Sequence, residues 1–592
     1  MLITEPEKTK EIIGAISKYE KISSNLISII QTHISRVFIT PGFVYKQKKP
    51  VNFRFVDYSS LEKRKFFARK ELSLNRRTCS GIYLDLVELR QKNEDIFIGF
   101  KGGALKDVFV RMRHVDGERF FNNILNSFNK DFNKNGVKNY KFNKLDVLKR
   151  VARRIYLFHK NAKSSKRISS FGKTEVYREN WEDNLLSVKK LVSGFKDFNE
   201  AEWVNEAKSA AGVDVNSLAG ILEYMEKSYD EFLQSRLFNE FVNFRIKNGF
   251  IKDLHGDLRM EHVAVIDEGR INGVCLMDCV EFNEKFRNQD LYLDIAFLLM
   301  DFEFNGFFYE SVLFFNYYKG FFNYKSDIEE YEKYEPFIIP FFKTYRSIVR
   351  TKISFLSNRF KEGLQHLNLA LFYIEFLKKP VVILNIGLSG SGKTILSDLL
   401  ANYFYSQNIK SDRLRQEMFG FTDKIFKYGR NASKMVYDNM FQEGVKRFNE
   451  GKNVIFDATF LKREHREKFI DYFKKKDCHF IIIYSKIYGD KEKVILRRLE
   501  KRKEGGQKIS GLKKGTDDVG GKFEKEYSEA DISVYLNQKR VFEEPEPQFK
   551  NLSSFQNQKD AANISFITVD ASLELNERFN YVFEKISGIK AL

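Results

Sequence analysis

The eight residues "GLSGSGKT", 387–394, constrain this chain more than any other stretch. They fit the pattern G-x-x-x-x-G-K-[ST], and the flanks are the ones that pattern requires. The apolar run "VVILNI" precedes them and reads as a buried strand, while "ILSDLLANYF" follows with helical spacing. Glycines in the turn let the backbone wrap around phosphate oxygens, with amide N–H groups and a helix N-terminus facing the negative charge. The expected nucleotide-binding set is Gly387, Ser389, Gly390, Ser391, Gly392, Lys393 and Thr394. Lys393 would reach the β- and γ-phosphates of ATP, and the Thr394 hydroxyl would ligate magnesium. A strand–loop–helix of this type predicts an α/β domain with a parallel sheet, here over 380–592.

The chain has 592 residues, too many for one core. The best boundary lies where Lys378, Lys379 and Pro380 end a helical segment and "VVILNI" begins. Upstream, 36–89 mixes strands ("RVFIT", "FVYKQ") with the charged helix "SSLEKRKFFARKELSLNRR". The remainder to about 376 reads as mostly helical, interrupted by two apolar runs joined through "DEGR", a hairpin signal. These features predict an α+β, two-lobed domain over 1–376, with a small lobe at about 1–115 and a large lobe at about 116–376.

Composition excludes several classes. The formal charge is +20, but the basic residues are spread along the whole chain. That distribution argues against a dedicated nucleic-acid surface. The four cysteines and eight histidines have no paired spacing suited to a disulfide framework or a zinc site. No stretch approaches the roughly 18 apolar residues of a membrane span, and the first residues carry no secretory pattern. A cytoplasmic protein without a membrane segment is expected.

A second phosphate-handling pattern sits in "LHGDLRMEHV", 254–263. Asp257 falls on a loop just before the hairpin, where a carboxylate can orient or deprotonate an acceptor hydroxyl. Asp278 ends the second hairpin strand, and the fold-back brings the two carboxylates together. Phosphotransferases with such a loop place an asparagine, a magnesium ligand, five residues after the aspartate; this chain has His262 there.

The N-terminal half resembles the aminoglycoside phosphotransferase-like branch of the protein-kinase fold, and in particular bacterial proteins that fuse such a domain to a P-loop kinase. The resemblance rests on "FVYKQKKPV", "DYSSLEKRKFFARKELSLNRR", "FVRMR", "ARRIYLFHK", "LHGDLRMEHV" and "LMDCVEFNEKFRNQDLYLDIAFLLMDF". It implies that Lys46 and Glu71 hold the ATP phosphates, that Asp257 is catalytic and that Asp278 holds the metal. Asp294 would cap the helix it begins or brace the loop, and His255 would fix that loop through hydrogen bonds. With His262 there, the site would hold its main metal through Asp278 alone, and His262 could donate a hydrogen bond to the Asp257 loop or to a phosphate. The site is expected to stay catalytic, with weaker magnesium dependence and tolerance of manganese. A retained fold acting only as a ligand-binding pseudokinase is the alternative.

The C-terminal half is similar to small P-loop kinases such as gluconate kinase, adenylylsulfate kinase, polynucleotide kinase and the zeta-toxin group. The matching stretches are "KSDRLRQEMFG" and "NVIFDATFLKREHR". The resemblance implies Asp412 as general base, Arg415 as substrate contact and Asp457 as a magnesium-shell or catalytic carboxylate. A helix cap is the other reading of Asp412. In "ILRRLEKRKE", Arg498 and Arg502 lie one turn apart and would act as lid arginines, or simply form a solvated face. The segment 503–522 is a candidate mobile lid or an insertion. Lys343, Arg346 and Arg350 fall on one helical face, open to an acidic substrate, the other domain or solvent. The expected function is an ATP- and Mg2+-dependent kinase with two fused domains, acting on hydroxyl groups of small molecules; an RNA-end or nucleotide kinase is a further alternative.

Overall fold

The small lobe is organised by strands whose residues alternate between two apolar layers. The computed structural model describes residues 5–53, 56–130, 143–194, 215–266, 273–322, 328–420, 427–503, 530–545 and 563–588. The first sheet contains β1 (Ser28–Gln31), β2 (Ser35–Ile39), β3 (Phe43–Lys48), β4 (Tyr83–Lys92), β5 (Asp95–Ile98) and β6 (Ala104–Arg113). The strands are antiparallel neighbours in the order β1-β2-β3-β6-β4-β5. Tyr45 and Phe109 face one layer, closed by Ile12, Ala15 and Ile16 of the helix Glu5–Glu20. Val44 and Val110 face the other, where Ala68 of α1 (Leu61–Cys79) packs. Lys46 and Lys48 share Val44's face by strand period, so both ammonium groups are delivered to α1. That helix starts at Ser60, whose hydroxyl accepts the Lys63 N–H at 3.3 Å.

The chain forms two compact units, Met1–Val176 with Val242–Leu298, and Tyr177–Phe241 with Leu299–Leu592. In the first unit the expected hairpin is present: β7 (Val263–Val265) pairs antiparallel with β8 (Val274–Leu276). The helix α2 (Leu291–Phe304) follows.

In the second unit Trp181 stacks on Tyr229 at 3.7 Å, and Tyr229 stacks on Phe341 of α3 (Ile328–Leu356) at 3.9 Å. Next comes α4 (Phe360–Lys378), which stops before Pro380, where a helix would lose a donor and clash. The boundary expected at Pro380 falls inside this unit. A five-stranded parallel sheet follows: β9 (Val381–Ile386), β10 (Gln407–Lys410), β11 (Val454–Ala458), β12 (His479–Lys486) and β13 (Asn563–Asp570), in the order β10-β11-β9-β12-β13. All six residues of β9 are buried, as expected for a parallel strand covered on both faces. The helices after β9 are α5 (Lys393–Phe404), α6 (Ser411–Phe419), α7 (Arg430–Asn449), α8 (Arg463–Phe473), α9 (Glu492–Lys503), α10 (Ile532–Val541) and α11 (Leu575–Ser587). Among the described residues no helix is long and apolar enough to cross a membrane. Apart from Lys503, the start of the possible lid, 503–522, lies outside the described residues.

The basic face expected on "FFKTYRSIVRTK" is neither solvated nor open to a substrate at Lys343. That ammonium is buried and meets Glu303 at 2.5 Å. The same carboxylate accepts from Ser311 (2.9 Å), Tyr373 (2.6 Å) and Tyr403 (3.0 Å). Tyr403 lies on α5, so this cluster fastens the P-loop helix to α2 and α4. Arg350 pairs with Glu362 at 3.1 Å. A buried carboxylate stripped of its cation is strongly destabilising, by about 3–5 kcal/mol. Lys343→Met should therefore lower the thermal stability of the second unit by that order. Adding Glu303→Gln should recover part of the loss, and calorimetry or circular dichroism on both variants checks it.

Candidate active sites

In the first unit, Glu71 of α1 is fully buried and carries two cations. Its carboxylate meets Lys46 at 3.0 Å and Lys48 at 2.8 Å. Burial opposes its ionisation, and the two ammonium groups outweigh that, holding Glu71 below the usual carboxylate range. Lys46 also pairs with Asp278. Burial works against its charge, while Asp278 and Glu71 hold it well above the ordinary lysine value. Lys48, which the sequence reading did not single out, pairs with Glu281 and lies 3.4 Å from the Tyr58 hydroxyl. Tyr58 in turn donates to Glu281 at 2.6 Å. The sequence signal was available: Lys48 is two residues from Lys46, hence on the same face of the strand.

Asp278 has a φ of +61°, a conformation that costs an aspartate on the order of 1–3 kcal/mol. Its surroundings impose it. The Asp278 N–H donates to the Tyr83 hydroxyl at 3.0 Å, and the Cys279 N–H donates to Asn75 Oδ1 of α1 at 2.9 Å. Desolvation raises its carboxyl and Lys46 lowers it further, so the net position is well below the usual range. Its side chain is 44% exposed, which leaves it open to a ligand.

The loop carrying Asp257 is fixed from behind by Asp294. That carboxylate is fully buried and accepts the N–H groups of His255 (3.2 Å) and Gly256 (2.9 Å), with Gln289 and His159 completing its shell. Gly256 has a φ of +88°, and a Cβ there would lie 2.9 Å from the Phe286 carbonyl. The His255 ring bridges the loop to the hairpin: Nε2–H donates to the Met277 carbonyl at 2.8 Å, and Nδ1 accepts the Asp257 N–H at 3.3 Å. Both residues thus brace the loop, as the resemblance implies. The structure also places Arg259 on Asp257, at 3.1 Å and 3.5 Å to its two oxygens.

In the second unit the P-loop runs from β9 into α5. Gly392 has a φ of +75°, and a Cβ on it would meet the Arg578 guanidinium at 2.7 Å. Arg578, on α11, donates to the Ser391 carbonyl at 2.8 Å and is buried. Nothing in the sequence pointed to this arginine, which is 187 residues from the loop it holds. Asn385 of β9 donates to the Lys393 carbonyl at 3.0 Å and Ser397 Oγ at 2.7 Å, anchoring the start of the helix. The Ser389 N–H donates to Gln538 Oε1 of α10 at 2.9 Å.

Asp457 stands beside Asn385 in the parallel register of β11 and β9. Burial pushes its carboxyl up to about 6, against the charge of Lys393 and a hydrogen bond from Thr394. Its Oδ1 is buried with no hydrogen-bond partner among the described residues. An orphaned carboxylate oxygen beside a threonine hydroxyl suits a hard divalent cation, which takes oxygen ligands. Asp412 lies in the first turn of α6, but the cap there is Lys410, without a side-chain capping bond. Its charge instead acts on Asp457 and on Tyr437.

Arg415 and Arg498 both meet backbone carbonyls in this structure. Arg415 is buried and donates to the Lys427 carbonyl at 2.9 Å, 5.0 Å from the Tyr428 ring centroid. Arg498 donates to the Ala571 carbonyl at 2.6 Å and approaches those of Ser572 and Leu573 at 3.5 Å. Its guanidinium serves the turn before α11 in this structure. The Arg502 side chain lies outside the described residues.

The chain is a phosphotransferase, with a protein-kinase-like fold in the N-terminal half and a P-loop fold in the C-terminal half. An AAA domain family model matches residues 382–518. Uncharacterized proteins of Mycobacterium tuberculosis and Mycobacterium bovis are 24% identical over 478 residues, covering 76% of this chain and 81% of theirs. Among solved structures, a Sinorhizobium meliloti gluconokinase is similar at 15% identity over 36% of this chain and 93% of its own, with a TM-score of 0.23. A Plasmodium vivax ethanolamine kinase is similar at 12% identity over 62% of this chain and 90% of its own, with a TM-score of 0.34. Aminoglycoside 2'-phosphotransferase-IIIa is similar at 12% identity over 62% of this chain and 99% of its own, with a TM-score of 0.30.

Burial pushes the His255 imidazole down to about 4, against the attraction of Asp294. A histidine depressed in the folded state costs stability as pH falls: the unfolded chain takes up a proton near pH 6.5 that the folded chain refuses until about pH 4. Stability should be full above about pH 6.5 and decline by about 3 kcal/mol on reaching pH 4. His255→Asn should remove that component, which urea unfolding of both proteins at a series of pH values measures.

Proposed function

We propose that the protein is an ATP- and Mg2+-dependent kinase with two active sites, each transferring the γ-phosphoryl group to a hydroxyl of a small molecule. The observation that carries this reading is that each unit holds a complete set of parts: a lysine for phosphate, a carboxylate suited to a divalent cation and a second carboxylate for the acceptor. In the first unit these are Lys46, oriented by Glu71, then Asp278 and Asp257. In the second they are Lys393 with the P-loop amides, then Asp457 with Thr394, and Asp412.

The chemistry asked of these residues is positioning and charge stabilisation rather than covalent catalysis. Lys46 and Lys393 meet the growing charge on bridging and terminal phosphate oxygens. Asp278 and Asp457 would hold the divalent cation, which would supply positive charge against the phosphate. Asp257 and Asp412 would orient the acceptor hydroxyl and take its proton as the bond to phosphorus forms. Arg415 would contact the acceptor in the second site.

The test is ATP consumption by the full chain with a metabolite extract, comparing wild type with Asp257→Ala, Lys393→Ala and the double variant. Each single substitution should remove a distinct set of phosphorylated products, and the double should remove both, with losses of at least about a hundredfold per site. If Asp257→Ala changes no product, the N-terminal half is a ligand-binding pseudokinase. Asp412→Asn should lower transfer far more than ATP affinity; an equal loss of both would contradict its role at the acceptor.

A further inference from the structure

The question left by the N-terminal site is what replaces the asparagine that His262 displaces. His262 Nδ1 lies 2.7 Å from the Asp257 carbonyl oxygen. A carbonyl can only accept, so the proton sits on Nδ1 and the ring's lone pair on Nε2. Arg259 Nη2 is 3.2 Å from that nitrogen and donates to it. Both ring nitrogens are therefore occupied, and neither offers a lone pair to a metal. The same guanidinium grips both oxygens of Asp257 and pairs with Glu261. Its side chain is 10% exposed, while Asp257 and Glu261 stay partly open to solvent.

We propose that Arg259 is a positioning residue that takes the place of a second metal ion in the N-terminal site. It fixes the Asp257 carboxylate toward the acceptor, closes off His262 as a ligand and supplies a fixed positive charge. The site then works with one divalent cation, assigned to Asp278. This rests on the reading of the N-terminal half as a nucleotide-binding kinase site. It also replaces the expectation of manganese tolerance through His262, since the imidazole has no free nitrogen to offer.

The ligand set follows from chemistry. A guanidinium cannot be deprotonated in a protein and has no acceptor, so it repels a cation from the position it holds. Freed of Arg259, the Nε2 lone pair would become available, and Mn2+ accepts imidazole where Mg2+ prefers oxygen.

The experiment uses the full chain, a non-hydrolysable ATP analogue and Mn2+, whose coupling to directly bound 14N is read by pulsed electron paramagnetic resonance. Wild type should bind two nucleotides and two Mn2+ per chain, with no imidazole 14N signal. Arg259→Ala should bind a third Mn2+ and show that signal, and Arg259→Ala with His262→Ala should lose it again. Arg259→Lys, which keeps the charge and much of the bulk, should behave as wild type in stoichiometry. Three Mn2+ or a 14N signal in wild type would overturn the inference while leaving the two-site reading standing. A third ion absent from Arg259→Ala would also overturn it. One nucleotide per chain would overturn the two-site reading itself, and the inference with it.

Discussion

A carboxylate with no access to water, Glu71, is the constraint on which the first unit is built. Removing such a charge from water costs several kcal/mol even after relaxation, so its partners must be present and aligned. Lys46 and Lys48 come from one strand, two residues apart, and they need the pleat to point them the same way. Glu281 and Tyr58 then close the far side of Lys48, and Asp278 closes the far side of Lys46. The network joins the sheet, α1 and the segment after the hairpin. A break in any one would leave a buried charge uncompensated, so Lys46 is held in place by the fold itself.

The second unit solves a similar problem with backbone rather than with ion pairs. Its phosphate site consists of amide groups in a turn, and the surrounding structure spends its polar side chains on holding that turn. Arg578 and Asn385 bind carbonyls on either side of Gly392, and Gln538 takes the Ser389 amide. Asp457 Oδ1 is among the buried polar atoms left without a partner among the described residues. An unpaired buried oxygen of this kind is costly, and this one belongs to a carboxylate that accepts a hydrogen bond from Thr394.

Residues expected to act directly and residues that hold others in place are separated by their partners. Asp294 accepts the His255 and Gly256 N–H groups and His255 Nδ1 accepts the Asp257 N–H, so the two govern where Asp257 stands. Arg498 and Arg578, both basic and both near the P-loop, bind backbone carbonyls of their own unit. Charge alone would have assigned Arg498 to phosphate; in this structure its hydrogen bonds go to the turn before α11.

The P-loop was legible in the sequence because it is local. Eight consecutive residues, a preceding apolar strand and a following helix specify the phosphate cradle with no help from distant chain, and the structure places them as their pattern demands. The hairpin, the strand carrying Lys46 and the helix carrying Glu71 were legible for the same reason, each being set by its own periodicity and turn residues. Resemblance supplied the pairing of Lys46 with Glu71, but Lys48 and Glu281, 233 residues apart, entered only with the fold. The same holds for Arg578 on Ser391 and Glu303 on Tyr403. His262 shows the division most clearly: its identity and spacing raised the question of the missing ligand, but the direction of its lone pair is decided by Arg259. Sequence determines what is close along the chain, whereas ion pairs and hydrogen bonds between elements form only when packing has brought them within about 3 Å.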